Sequence, residues 1–152
     1  MHIESLQNDK IKNLIRLNTD NRFRRKSGFF VVEGKQENDR AQKFNYEADH
    51  FFICESIFEE DFPKGRINLV SEKIYEKLAY RGTSEGIIGV YKSKNEDLTG
   101  FKPKENSSII ILESIEKPGN LGAILRSCEA FGIDALIVAD AKTDFYNPNV
   151  IR

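Results

Sequence analysis

Ile109-Ile110-Ile111-Leu112, then Glu113-Ser114-Ile115-Glu116-Lys117-Pro118-Gly119-Asn120, then Leu121-Gly122-Ala123-Ile124-Leu125-Arg126-Ser127-Cys128-Glu129-Ala130-Phe131-Gly132, and then Ala135-Leu136-Ile137-Val138 is the stretch that decides the fold. Two short β-favouring aliphatic runs flank an amphipathic segment, which reads as strand, helix, strand. Leu121, Ile124, Leu125, Cys128 and Phe131 recur at i, i+3, i+4, i+7 and i+10. That spacing predicts a helix from about Leu121 to Phe131 with these five side chains in the core. Pro118-Gly119-Asn120 reads as the loop before it, and Asn120 as either a helix cap or a ligand-binding carboxamide. Gly122 and Arg126 are i,i+4 neighbours on the opposite side, so the guanidinium is expected to lie over a turn that lacks a side chain. Long helical side chains lean toward the N-terminus, which aims Arg126 back at the loop. The helix start adds unpaired N–H groups and the positive end of a dipole, an attraction for a phosphate or a developing oxyanion.

Working outward from this βαβ opening, Ala139 to Arg152 contains Asp140, Asp144, Asn147 and Pro148, and no element that would close a sheet. The second unit therefore reads as unfinished. A half-built βαβ unit leaves a sheet edge and apolar surface exposed, which suggests a piece of a longer protein. Upstream, residues 95–107 are polar, with Gly100 and Pro103, and read as a linker between residues 1–94 and residues 108–152.

Residues 1–94 alternate helix and strand. Ile11, Leu14, Ile15 and Leu17 mark an amphipathic helix from Asp9 to Leu17, with Asn8 or Asp9 as its cap. Phe29 to Val32 reads as a buried strand, Lys35 to Phe44 as a helix, and Asp49 to Cys54 as a second buried strand. Ile67 to Val70 is a third strand, Ser71 caps a helix that turns Ile74 and Leu78 inward, and Gly86 to Tyr91 is a fourth strand. Such alternation implies an α/β sandwich.

The whole chain carries a formal net charge of −1, which argues against binding nucleic acid by bulk charge. The distribution is uneven, however. Lys10, Lys12, Arg16, Arg22, Arg24, Arg25 and Lys26 stand against the single acid Asp20. Within that stretch, Arg22-Phe23-Arg24-Arg25-Lys26 reads as a basic loop suited to phosphate contacts, with Phe23 available for base stacking. The plainer alternative is a solvated loop. Cys54 and Cys128 form no CxxC pair and point to neither a zinc site nor a disulfide framework, so a reducing cytoplasm is the expected compartment. His2 and His50 lack any spacing of a metal-ligand set, and no metal site is expected. No apolar run reaches the roughly 18 residues that span a bilayer, and the first ten residues are too polar for a signal peptide.

The run from Glu113 to Gly132, with Pro118, Gly119, Asn120, Gly122 and Arg126 at its centre, resembles the first signature of the SpoU (TrmH-like) RNA ribose 2′-O-methyltransferases of the SPOUT superfamily. Asp144 to Arg152, with Asn147, Pro148 and Asn149, is similar to a downstream segment of the same family. Phe29 to Gly34 and Thr83 to Val90 resemble the L30e-like substrate domain that often precedes the catalytic one. The resemblance implies an L30e-like α/β/α sandwich followed by the opening of a knotted α/β methyltransferase domain. It implies catalytic roles for Asn120 and Arg126, with Glu113 as a further candidate, and RNA contact by Arg152, which would join the cations Arg22, Arg24, Arg25 and Lys26 read from their charge. S-adenosylmethionine would be the methyl donor and RNA, ribosomal or transfer, the substrate, with a homodimer as the working form. The signatures that bind the donor would lie beyond Arg152, so this chain alone is expected neither to bind it nor to turn over.

By spacing alone the same residues admit a plainer account in which Asn120 caps, Gly119 turns and Arg126 is solvated. Two other functions compete: a stand-alone L30e-like RNA-binding module, and a phosphate-binding βαβ protein, although Gly119 and Gly122 do not match the GxGxxG pattern.

Overall fold

A strand whose side chains alternate between two apolar faces needs cover on both sides, and the N-terminal part of the chain supplies it. The computed structural model describes residues 1–80, 85–94 and 97–151. It forms two compact units, Met1–Ser93 and Lys94–Arg152. Thr83 and Ser84 of the upstream resemblance, and Arg152, lie outside the described residues.

In the first unit a sheet runs in the order β1-β4-β3-β5-β2. Its strands are β1 (His2–Ile3), β2 (Phe29–Glu33), β3 (Ala48–Ile53), β4 (Ile67–Val70) and β5 (Ile87–Lys92). β4 is parallel to both β1 and β3, whereas β5 is antiparallel to β3 and β2, so the sheet is mixed. The helices are α1 (Asp9–Thr19), α2 (Asn21–Ser27), α3 (Lys35–Lys43) and α4 (Glu72–Leu78). Ile11, Leu14 and Leu17 of α1 and Ile74, Tyr75 and Leu78 of α4 share one core with Val31, Phe52, Ile88 and Val90. Alternate strand residues Phe30, Val32, Phe51, Ile53 and Tyr91 are also buried, on the opposite face, where α3 meets β2 and β5. The unit is thus the α/β sandwich that the alternation implied.

Local chemistry explains the boundaries. Asn8 caps α1, its Oδ1 accepting from the Lys10 N–H at 2.9 Å. Ile15, grouped above with the core-facing residues, is exposed. Ser71 holds the N-cap position of α4 without a side-chain capping bond; its carbonyl accepts from Ile74 and Tyr75 instead. β1 is too short for any periodicity to announce it. On the α3 face, Asn38 is buried and fully engaged: Nδ2 donates to the Val32 and Gly34 carbonyls at 3.1 and 2.6 Å, and Oδ1 accepts from the Tyr91 hydroxyl at 2.9 Å. Gly89 lies directly over this network. A methyl there would overlap Asn38 Oδ1 and come within 2.5 Å of the Tyr91 ring. Burial also pushes the Tyr91 phenol up to about 12, so it stays a donor to Asn38.

The second unit contains β6 (Ile109–Glu113), α5 (Pro118–Ala130), β7 (Ala135–Ala139) and α6 (Pro148–Ile151). β6 and β7 pair in parallel from Ile109 with Ala135 to Glu113 with Ala139, joined by the α5 crossover. Leu121 and Cys128 of α5 are buried. Ile124 and Leu125 are only half-buried, and Phe131 is 84% exposed, so the five-residue core face expected for this helix is not complete. The cause is positional: Phe131 is the C-cap residue, past the last helical turn. Ile111, on the β6 face away from its half-buried neighbours, is likewise 67% exposed.

Because Asn38 is tied by three hydrogen bonds, it has no freedom to retreat from a new side chain. Gly89→Ala should therefore destabilise the first unit by about 2 kcal/mol, measurable as a lower midpoint in urea at unchanged slope. An unaltered midpoint would show that the network yields.

Candidate functional site

Asp20 ends α1 in an extended conformation and its side chain accepts from the Phe23 N–H at 3.0 Å, which starts a second helix at once. Gly28, at φ +70°, closes that helix in the left-handed conformation glycine favours. The basic stretch is therefore helix α2 and not the loop read from its sequence. An Asp cap and a terminal glycine are both visible in the sequence and would have found it.

Helical geometry sorts the five residues. Arg22, Arg25 and Lys26 stand at i, i+3 and i+4, which puts them on one face, and all three are exposed. Among the described residues none of them makes an ion pair. Arg24 faces the other way, is only 4% exposed, and donates from Nη1 to the Leu17 carbonyl at 2.6 Å. Its listing with the RNA-contacting cations is corrected: the guanidinium helps join α2 to α1. Phe23 is also corrected as a stacking platform. It packs against the core, and the Arg16 guanidinium lies 3.9 Å from its ring centre. Arg16 is itself exposed, which adds a cation beside the three on α2. Lys10 is held by Asn68 at 2.8 Å and Lys12 pairs loosely with Asp9 at 4.0 Å.

In the second unit, Pro118 takes the first helical position, where its fixed φ fits and its missing N–H costs nothing. Lys117 is the N-cap, without a side-chain capping bond. Pro118-Gly119-Asn120 is therefore the first turn of α5, three residues earlier than the apolar spacing indicated. Asn120 is not the cap, and its exposed carboxamide makes no hydrogen bond among the described residues. Glu113 is the exposed last residue of β6, and Arg126 is exposed in the third turn of α5. Arg126 lies six positions beyond Asn120, about 9 Å along the axis.

Gly122 also has a backbone neighbour that its spacing did not suggest. It is buried, and a Cβ on it would meet the Val150 carbonyl oxygen at 2.8 Å and that of Asn149 at 3.2 Å. The gap over this turn is filled by the backbone of α6. The exposed stripe runs instead through Gly119, Ala123 and Arg126, at i, i+4 and i+7, with open space at Gly119. α6 is in turn begun by Asn147, whose Oδ1 accepts from the Asn149 N–H at 2.9 Å. Cys54 and Cys128 are buried thiols, one in each unit. Among the described residues no cluster of His, Cys, Asp and Glu side chains could hold a metal, and no helix is long and apolar enough to cross a membrane. His50 sits at a shift of strand register, Nδ1 2.6 Å from Asp49 Oδ2 and its ring edge-on to Phe52.

The first α/β unit thus carries an exposed basic helix, and the second a strand and helix that bear Glu113, Asn120 and Arg126. Residues 8–89 match the MRM3-like substrate binding domain family, and residues 107–152 match the SpoU rRNA Methylase family. The chain belongs to the family of the MRM3-like substrate binding domain, whose match is followed along the sequence by the SpoU rRNA Methylase segment. It is 26% identical over 152 residues to the 23S rRNA (guanosine(2553)-2′-O)-methyltransferase of Bacillus subtilis, covering 99% of this chain and 59% of that protein. It is 26% identical over 139 residues to human mitochondrial rRNA methyltransferase 3, covering 86% and 33%. The crystal structure of an RNA 2′-O ribose methyltransferase matches with a TM-score of 0.82 at 33% identity, over 100% of this chain and 60% of that one. An AdoMet-bound rRNA methyltransferase from Sinorhizobium meliloti shares the fold, with a TM-score of 0.85 at 21% identity, over 100% and 59%. The chain thus spans about 60% of the length of the Bacillus protein and of both solved structures.

Gly122→Ala should force α6 away from α5 and lower the stability of the second unit by about 2 kcal/mol. Faster amide exchange at Val150 and Ile151 is the accompanying local readout; unchanged protection there would mean that the two helices are not held at this point.

Proposed function

We propose that the whole protein transfers a methyl group from S-adenosylmethionine to a ribose 2′-hydroxyl of ribosomal or transfer RNA. The observation that carries this reading is the exposed face of α5: an unengaged Asn120 carboxamide and the Gly119–Ala123–Arg126 stripe, on a helix whose buried side packs on β7 and α6. The Bacillus relative is named for 2′-O-methylation of a guanosine in 23S rRNA, the human one for methylation of rRNA, and the Sinorhizobium rRNA methyltransferase was solved with AdoMet.

A ribose hydroxyl is a weak nucleophile, so transfer needs its proton removed or its growing negative charge stabilised. Arg126 suits the second task, because a guanidinium stays protonated and donates several hydrogen bonds. Asn120 would orient the ribose and Glu113, at the end of β6, would act with it. All three are solvent-exposed in this chain and do not by themselves enclose the adenosine and methionine moieties of a donor. The donor would supply the methyl group and be held chiefly by the remainder of the protein, which forms a homodimer on this reading and works in the cytoplasm. We assign Arg22, Arg25 and Lys26, together with Arg16, to the phosphates of the RNA. Arg152 keeps a proposed RNA contact through the family resemblance alone.

Arg126→Ala in the full-length protein should lower turnover at least about a hundredfold with intact folding; near-normal rates would end its assignment. Neutralising Arg22, Arg25 and Lys26 together should flatten the log–log salt dependence of RNA binding by about 2. Arg24→Ala offers the contrast, weakening the first unit's stability while leaving that slope in place. Mapping ribose methylation across cellular RNA with and without the intact gene tests the reading as a whole, since an unchanged map refutes it.

A further inference from the structure

The two strands of the second sheet leave it in step. Glu113 pairs with Ala139, and the next N–H, that of Ser114, donates to the Ala139 carbonyl at 2.9 Å. The residues that follow the two strands, Ser114 and Asp140, both turn left-handed, with φ of +51° and +48°. For a residue with a side chain that conformation costs about 1–2 kcal/mol and persists only where the surroundings impose it. Here the two side chains meet: Ser114 Oγ donates to Asp140 Oδ2 at 3.0 Å, and Lys142 Nζ reaches the same oxygen at 2.7 Å. Lys142 first, then Ser114, holds the Asp140 carboxyl below its usual range, so it is an ionised acceptor at neutral pH.

Two segments depart from this junction. One, residues 114–117, leads into α5 with Asn120 and Arg126; the other, residues 140–147, leads into α6 with Asn147, Pro148 and Asn149. They meet again where the α6 backbone lies on Gly122. The pair of loops is therefore tied at both ends, by side chains at the base and by backbone contact at the top.

We propose that Ser114 and Asp140 are positioning residues for methyl transfer, a side-chain link that sets the spacing between the segment presenting Asn120 and Arg126 and the segment presenting Asn147 to Asn149. This rests on the methyltransferase reading. Neither residue is assigned contact with the reacting atoms; the link acts through the two loops it joins. Transfer requires close approach and alignment of the ribose oxygen, so a loosened spacing is felt in the chemical step more than in RNA affinity.

The test uses the full-length protein. Ser114→Gly keeps the left-handed backbone without steric cost but removes the hydroxyl, and Ser114→Asn tolerates the same backbone while restoring a donor. Ser114→Gly should melt at or above the wild-type temperature, lose about tenfold or more in kcat, keep KM for RNA within about twofold, and exchange amides faster in residues 141–151. Ser114→Asn should recover most of the rate. Wild-type kcat and exchange in a folded Ser114→Gly protein overturn the proposal, as does a raised KM at unchanged kcat. If Ser114→Gly fails to fold, Asp140→Gly, which keeps the left-handed backbone and removes the acceptor, carries the same comparison. A wild-type protein that methylates no RNA ribose overturns the transfer reading itself, whereas an active wild type with an indifferent Ser114→Gly overturns only the link; the exchange measurement is independent of activity.

Discussion

Two helices can touch backbone to backbone only where one of them lacks a side chain, and in the second unit that place is Gly122. The Val150 carbonyl oxygen stands only 2.8 Å from where a Cβ would be, so α6 is seated on α5 and the segment that carries Asn147 and Asn149 is brought beside the helix that carries Asn120 and Arg126. One flank of α5 is thereby closed. Leu121 and Cys128 fill the sheet side, and the stripe through Gly119, Ala123 and Arg126 is left exposed. The proposed site occupies the face that packing leaves open.

The first unit obeys a similar rule with different means. Its sheet is covered on both faces, and on one of them a polar side chain, Asn38, is admitted to the core because each of its polar atoms is matched. With the sheet so covered, charge is left to the periphery. Asp20 and Gly28 cut a seven-residue helix out of the basic stretch, and the helical period then divides its cations, sending Arg24 inward and Arg22, Arg25 and Lys26 outward. A net charge of −1 conceals this patch, since a sum over the chain carries no direction.

Much of this was legible beforehand. Strands at Phe29–Glu33, Ala48–Ile53, Ile67–Val70, Ile87–Lys92 and Ile109–Glu113 announce themselves as β-branched and aromatic runs between turn residues. The amphipathic helices α1 and α4 follow from spacing alone. The start of α5 was misplaced because proline, glycine and asparagine are turn residues as well as tolerated first-turn residues, and apolar periodicity cannot see a turn that has no apolar side chain. Phe131 continued the helical stripe in sequence while lying past the last turn in space.

By itself the sequence determined which segments form most of the strands and helices, the presence of a second βαβ unit, and the family to which the run from Glu113 to Gly132 points, because those depend on local period and residue type. The tertiary structure alone decided what occupies the space beside Gly122, which arginine of the basic stretch is buried, and that Ser114 and Asp140, 26 residues apart, face one another across a ladder. The physical reason is that a glycine, an arginine and a left-handed turn each state a permission and not a partner. Only a neighbour distant in the chain, brought within hydrogen-bond or van der Waals reach by the packed sheet, determines how that permission is used.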